Sequence, residues 1–149
     1  MIINIDGTNI NYEIFGDGKP LLLLHGWGAC INSMAPIWQF FKNNFKVYVL
    51  DFPMQGNGSD EPKVPWGVPE YSEMVKSFMQ KLNISKPHVI AHSFGGRVTI
   101  YLASKYKDLF DKIVLVDAAG VKPKQTLKKR FKKIVFKCGK ACLKIFAPK

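Results

Sequence analysis

One stretch of eleven residues, 88–98, constrains the fold of this chain more than any other. Val89–Ala91 is a short apolar run typical of a buried strand in a parallel sheet. After Gly95 and Gly96, the residues Val98, Tyr101 and Leu102 recur at helical spacing. Ser93 lies between the two elements, with a small residue two positions away on either side. The pattern therefore predicts a strand that turns into a helix around a single serine.

Such a turn has chemical consequences for Ser93. A strand that passes into a helix within two or three residues places its central side chain on a sharp, strained corner, and only small neighbours let the two backbone arms approach. The first helical N–H groups, beginning at Phe94, then point toward any group that the Ser93 hydroxyl attacks. The alternative is that Ser93 is only the N-cap of the helix.

Three stretches together resemble motifs of the α/β-hydrolase superfamily. Residues 91–96, Ala-His-Ser-Phe-Gly-Gly, resemble its nucleophile elbow, with Ala91 where glycine is usual. Residues 21–28, Leu-Leu-Leu-Leu-His-Gly-Trp-Gly, are similar to its strand and His-Gly-x-Gly turn. Residues 51–60 resemble its Asp-x-x-Gly-x-Gly-x-Ser loop, with Met54 in place of a glycine and an extra residue before the serine. The order and spacing of all three fit that family.

The resemblance implies an α/β fold and a serine hydrolase acting on small carboxylic esters without a cofactor or a metal ion. Members of the family that remove halogens or open epoxides have an aspartate at the elbow. The serine at this position therefore implies acyl chemistry. The implied nucleophile is Ser93, and the implied oxyanion donors are the backbone N–H groups of Trp27 and Phe94. The residues implied to support the elbow and the oxyanion turn are His25, Gly26, Ala91, His92 and Gly95.

The general base of such a site is harder to find, because the chain has three histidines. His25 belongs to the oxyanion turn and is expected to be a structural hydrogen-bonding group. His88 starts the elbow strand, so at about 3.3 Å per residue it lies roughly 15 Å from Ser93. His92 adjoins Ser93, and neighbouring side chains on a sharp turn point in different directions. None of the three is therefore expected to accept the Ser93 proton.

In the family, the catalytic Asp or Glu and the His follow the serine on later strands, beyond a lid. This sequence resembles the first part of such a hydrolase, a truncated α/β-hydrolase fold that ends near the start of the lid. Two hypotheses follow. Either a second polypeptide supplies the Asp and the His, or the chain is an inactive fragment or pseudoenzyme that acts by binding or association.

Residues 1–120 read as the N-terminal part of the hydrolase core. Apolar strands alternate with helical patterns, which predicts a mostly parallel sheet with helices on both faces. An edge hairpin is predicted around Asp6-Gly7. A helix is predicted over 34–42, with Ile37, Phe40 and Phe41 facing inward. A proline-rich loop follows through Pro69, and a second helix is predicted over 71–82. The strand at 113–116 would be an unpaired apolar edge, which favours self-association or pairing with a complementing chain.

The net charge of +11 is confined to the last 29 residues. Residues 1–120 hold eleven basic and eleven acidic side chains, whereas residues 121–149 hold eleven basic side chains and no acidic one. This segment reads as a basic amphipathic helical tail, and its position indicates the start of a lid or cap. A membrane-surface or acidic-partner helix is the alternative, whereas nucleic-acid binding is not expected because no reader motif accompanies the charge.

The sequence has neither an apolar run long enough to span a membrane nor a basic leader at its start. We therefore expect the protein in the cytoplasm.

Overall fold

The computed structural model describes residues 1–56 and 59–120. The predicted amphipathic segment 121–149 lies outside the described residues, as do residues 57 and 58 of the third motif. No helix within the described part of the chain is long and apolar enough to cross a membrane.

Six strands and three α-helices make up the described fold. The strands are β1 (Ile2–Ile5), β2 (Thr8–Phe15), β3 (Lys19–Leu24), β4 (Phe45–Leu50), β5 (His88–His92) and β6 (Ile113–Val116). The helices are α1 (Ala35–Phe41), which a short 3-10 turn at Ile31–Met34 precedes, α2 (Val68–Lys81) and α3 (Phe94–Lys105).

The strands form one sheet in the order β1-β2-β4-β3-β5-β6. β1 and β2 form the predicted hairpin, and β2 pairs antiparallel with β4. The β4–β3, β3–β5 and β5–β6 pairs are all parallel. The prediction of a mostly parallel sheet with a hairpin at one edge is therefore confirmed.

Both faces of the sheet are covered, as the run of four leucines in β3 predicts for a central strand. Leu21 and Leu23 face a core that contains Ile31, Met34 and the apolar side of α1. Leu22 and Leu24 face the opposite way, into a larger core built with α2 and α3. Successive side chains of a strand point to opposite faces, so one apolar strand contributes to two cores.

Two predicted details of the helices are wrong. Phe40 does not face inward but is 76% exposed. The apolar stripe of α1 runs through Ile37, Trp38 and Phe41, and Phe40 lies roughly 110° around the helix from its centre. Helix α2 begins at Val68 and so includes Pro69 in its first turn, where the missing N–H of proline would have had no helical partner.

The chain crosses from one side of β3 to the other between successive strands. β4 lies beside β3 on one side, and β5 lies beside it on the other. Ligands of open α/β sheets bind beyond the carboxyl ends of the strands at such a switch point. The turn after β3 and the turn after β5 meet at that place, because Leu24 pairs with Ala91.

Candidate active site

Ser93 occupies the single position between the last residue of β5 and the first residue of α3. Its backbone has φ 47° and ψ −105°, a strained conformation that residues with side chains rarely adopt. Its N–H donates to the Val116 carbonyl at 3.0 Å, and its carbonyl accepts from the Ala119 N–H at 2.9 Å. These bonds to the end of β6 and the residues beyond it hold the corner in place.

The Ser93 side chain does not act as a helix cap. The hydroxyl makes no capping hydrogen bond to the first turn of α3, which argues against the N-cap interpretation. The serine is only partly buried. The hydroxyl is therefore presented at the corner without being used to stabilise the helix.

Two glycines let the neighbouring turns approach this corner. A Cβ on Gly95 would lie 2.5 Å from the Leu24 carbonyl oxygen, and the Gly95 N–H donates to the His25 carbonyl at 3.0 Å. A Cβ on Gly26 would lie 2.9 Å from His92 Nδ1 and 3.3 Å from the Ser93 Cβ. The turn after β3 and the corner at Ser93 are therefore in direct contact. A side chain at Gly95 would collide with backbone, and one at Gly26 would have to displace the His92 ring.

The two predicted oxyanion donors lie on the two turns that meet at Ser93. Within residues 1–56 and 59–120, neither the Trp27 N–H nor the Phe94 N–H has a hydrogen-bond acceptor. The Trp27 and Phe94 rings are 5.1 Å apart in an edge-to-face arrangement. Most N–H groups in folded proteins find an acceptor, so these two groups are available to an acceptor from outside the described residues.

His25 is fully buried and already hydrogen-bonded on both ring nitrogens. Its Nε2 accepts from the Phe52 N–H at 3.1 Å, so the proton lies on Nδ1, which is 2.7 Å from the Gly26 carbonyl. Burial lowers the pKa of His25, although the Gly26 bond and the nearby Asp51 carboxylate oppose that shift. A neutral imidazole with both nitrogens engaged ties the turns after β3 and β4 together and cannot accept a proton from Ser93.

The other two histidines are placed differently from each other. His88 lies at the opposite end of β5, where its Nδ1 is 3.3 Å from Asp111 Oδ2. His92 is exposed and faces Gly26. Among the described residues, no imidazole is hydrogen-bonded to the Ser93 hydroxyl.

The loop after β4 is anchored by Asp51. One carboxylate oxygen accepts from the Ile31 N–H at 2.7 Å and the other from Asn11 Nδ2 at 2.9 Å. Ser59, the serine of the third motif, donates to the Asp51 carbonyl at 2.8 Å and accepts from the Asn11 N–H at 2.9 Å. Met54 has φ 63°, a left-handed conformation that explains why the resembling motif has glycine at this position.

An aromatic cluster surrounds the corner on the α2 side. Tyr71 of α2 contacts the rings of Phe52, Trp66 and Phe94 edge to face, and the Trp27 ring completes the group at 6.1 Å. The Tyr71 hydroxyl donates to the Pro53 carbonyl at 3.2 Å, and burial raises the pKa of that hydroxyl. Trp27 itself is 61% exposed, so an apolar surface adjoins the serine.

Gln55 is a site residue that the sequence did not indicate. It occupies a variable position of the third motif, and its side chain reaches the oxyanion turn, where Oε1 accepts from the Gly28 N–H at 2.8 Å. No periodicity or motif position signals this contact, because it joins residues from two separate loops.

The chain belongs to the alpha/beta hydrolase fold family, whose model matches residues 19–140. Among curated relatives, it is 29% identical over 110 residues to a serine hydrolase-like protein of Danio rerio, covering 71% of this chain and 33% of that protein. It is 28% identical over 113 residues to a soluble epoxide hydrolase of a Corynebacterium species, covering 76% of this chain and 39% of that protein.

Solved structures show the same likeness. A meta-cleavage product hydrolase from Pseudomonas fluorescens superposes with a TM-score of 0.76 at 26% identity, over 85% of this chain and 48% of that one. An alpha/beta hydrolase fold protein from Burkholderia ambifaria superposes with a TM-score of 0.77 at 22% identity, over 88% and 48%. The chain thus spans 33–39% of the length of these two curated relatives and about half of these solved chains.

Proposed function

We propose that this chain carries the nucleophile and the oxyanion-binding half of a serine hydrolase acting on carboxylic esters. Ser93 Oγ attacks the ester carbonyl carbon, and the N–H groups of Trp27 and Phe94 bind the oxygen that becomes negatively charged. One observation carries the proposal: two N–H groups that have no acceptor in the described part of the chain lie on the turns that meet at a strained serine. The likeness to hydrolases, one of them a serine hydrolase-like protein, supports the same reaction class.

Proton transfer is the step for which these residues supply no group. The sequence has three histidines. His25 is engaged on both ring nitrogens, His88 lies at the opposite end of β5, and among the described residues none of the three is hydrogen-bonded to the Ser93 hydroxyl. The proposal therefore requires an imidazole from outside these 149 residues for efficient turnover. A chain that never meets such a group would retain the fold and bind small acyl compounds, which is the alternative function.

Added imidazole tests this proposal directly. We expect the chain alone to release p-nitrophenolate from p-nitrophenyl acetate only slowly, because a general base contributes about 10²- to 10⁴-fold in such reactions. With millimolar imidazole present, the wild-type chain should release p-nitrophenolate about ten times faster than a Ser93→Ala variant does under the same conditions. Imidazole also hydrolyses the ester in solution, and the variant corrects for that contribution.

Ser104, the serine within α3, provides the control. Ser104 lies on the exposed side of that helix and donates to the Tyr101 carbonyl, so Ser104→Ala should behave as wild type. Rates that are identical for wild type and Ser93→Ala, with and without imidazole, would show the inactive alternative to be correct. Fast Ser93-dependent turnover without imidazole would mean instead that this chain supplies its own base.

A further inference from the structure

The Gln55 side chain connects the loop after β4 with the turn after β3. Its Oε1 accepts the Gly28 N–H at 2.8 Å, and the residue is only 6% exposed. Its own N–H donates to the Phe52 carbonyl at 3.0 Å, which fixes the backbone from which the side chain extends. The glutamine is therefore a buried acceptor held at a defined place.

The bond to Gly28 fixes the form of the turn that carries Trp27. Residues 26–29 make a β-turn, in which the Ala29 N–H donates to the Gly26 carbonyl at 3.2 Å. Gly28 has φ 72°, and a positive φ at the third position is what a type II turn requires. Type I and type II turns differ by a rotation of roughly 150° of the central peptide. Here that peptide joins Trp27 to Gly28, and Gln55 holds its N–H.

The other end of the same amide contacts the aromatic cluster. Because Oε1 must face the Gly28 N–H, Nε2 faces the other way, and among the described residues it makes no hydrogen bond of regular geometry. The amide is still close enough to the Tyr71 hydroxyl to oppose the effect of burial on the pKa of that group. A buried amide donor without a regular acceptor lowers folding stability. Its benefit is therefore to be sought in the orientation of the turn.

We propose that Gln55 is a positioning residue of the oxyanion-binding turn. It holds the Trp27–Gly28 peptide and so keeps the turn in the form whose Ala29 N–H bonds the Gly26 carbonyl, which lies on the same peptide as the Trp27 N–H. This inference rests on the function proposed above, since orientation of the Trp27 N–H matters only if that group binds an oxyanion. Gln55 itself does not contact the reacting atoms.

Amide hydrogen exchange of the wild-type chain and of two variants tests the structural half of the inference. We expect the Gly28 amide to be protected in the wild type, about tenfold less protected in Gln55→Leu, which lacks an acceptor, and protected again in Gln55→Glu, which keeps one. Gln39→Leu makes the same change at an exposed position of α1 and should leave Gly28 unchanged. An unprotected Gly28 amide in the wild type would overturn the inference even if Gln55→Leu fails to fold.

The catalytic half is tested with p-nitrophenyl acetate in the presence of imidazole. We expect Gln55→Leu to lower the Ser93-dependent rate constant about tenfold with an unchanged KM, less than the roughly 100- to 1,000-fold for complete loss of an oxyanion donor. Gln55→Glu should restore most of the rate. A rate unaffected by Gln55→Leu while Gly28 loses protection would overturn the positioning role. If the wild type shows no Ser93-dependent release at all, the proposed function fails, and the Gly28 amide alone decides whether Gln55 orients the turn.

Discussion

At the scale of single residues, the site depends on close approach rather than on charge. Gly26 and Gly95 bring the turn after β3 against Ser93, and the left-handed backbone of Ser93 is held by bonds to Val116 and Ala119. Strain of this kind persists only where surrounding contacts over-determine it. The glycines are therefore as necessary to the corner as the serine itself.

Substitution of the two glycines by alanine should give unequal losses. In Gly95→Ala the new Cβ meets the carbonyl of Leu24, which is part of β3 and cannot move, whereas in Gly26→Ala it meets the His92 ring, which can rotate. We expect both variants to lose about 1–3 kcal/mol of unfolding free energy, with Gly95→Ala at the upper end. Urea unfolding followed by tryptophan fluorescence measures both. Equal stabilities for wild type and Gly95→Ala would contradict the packing described here.

The buried imidazole of His25 should make stability depend on pH. Burial lowers its folded-state pKa below the ordinary value of 6.5, with Asp51 and His92 as the charged or titratable neighbours. The unfolded chain then binds a proton that the folded chain does not. The free energy of unfolding is therefore fully developed above pH 6.5 and decreases as the pH falls from 6.5 toward the folded-state pKa.

Two measurements check that dependence. Urea midpoints should decrease from pH 7.5 to pH 5.5, and the His25 ring signals in NMR should remain those of a neutral imidazole at pH 6. His92→Gln, which removes an exposed imidazole, should keep most of the decrease. A His25 ring that is protonated with a midpoint at or above 6.5 would show that burial does not control this group.

At the scale of elements, β6 differs from the other parallel strands. Its four residues, Ile113–Val116, are each 39–52% exposed, and β6 pairs with β5 alone among the described strands. An apolar strand with one unpaired edge is a template for pairing with another chain. The association predicted from the sequence stays a prediction, and β6 is the element that would mediate it.

A charge placed on that edge should reduce association without unfolding the protein. We expect Val114→Lys to shift sedimentation-velocity profiles toward the monomer, while stability changes by no more than about 0.5 kcal/mol. Ile2→Lys, at an exposed position of β1 on the opposite edge of the sheet, is the control and should not shift them. Identical profiles for all three proteins would exclude β6 as the associating edge.

At the scale of the whole molecule, charge divides the chain into two parts. Residues 1–120 are electrically balanced, and the excess of +11 belongs to residues 121–149. If the apolar stripe predicted in that segment, from Leu127 to Ile145, covers the hydrolase core as a lid, it is not available to lipid. If it binds membranes, basic and aromatic side chains would hold the protein on an anionic surface.

Vesicle sedimentation distinguishes the two. We expect the full chain to remain in the supernatant with vesicles of phosphatidylcholine and phosphatidylserine at about 150 mM salt, because a lid that covers the core has no apolar side available to enter the lipid. Pelleting with these vesicles, but not with pure phosphatidylcholine, would favour the membrane-binding alternative. A chain ending at Gly120 carries no net charge and is the control.

The sequence by itself determined the class of fold and the position of the candidate nucleophile. Apolar runs such as Leu21–Leu24 and Val89–Ala91 predict which strands are buried. The small residues around Ser93 predict where the chain turns sharply. Both features are local properties of the sequence. Phe40 shows the limit of that reasoning, since a seven-residue helix offers several ways to choose its buried side.

Only the tertiary structure decided which groups around Ser93 are engaged and which are free. Among the described residues the Trp27 and Phe94 N–H groups have no acceptor, whereas the His25–Phe52 and Gln55–Gly28 hydrogen bonds join residues from different loops. Sequence spacing cannot specify such contacts, because they exist only once parallel pairing of β3 with β4 and β5 brings the carboxyl ends of these strands together.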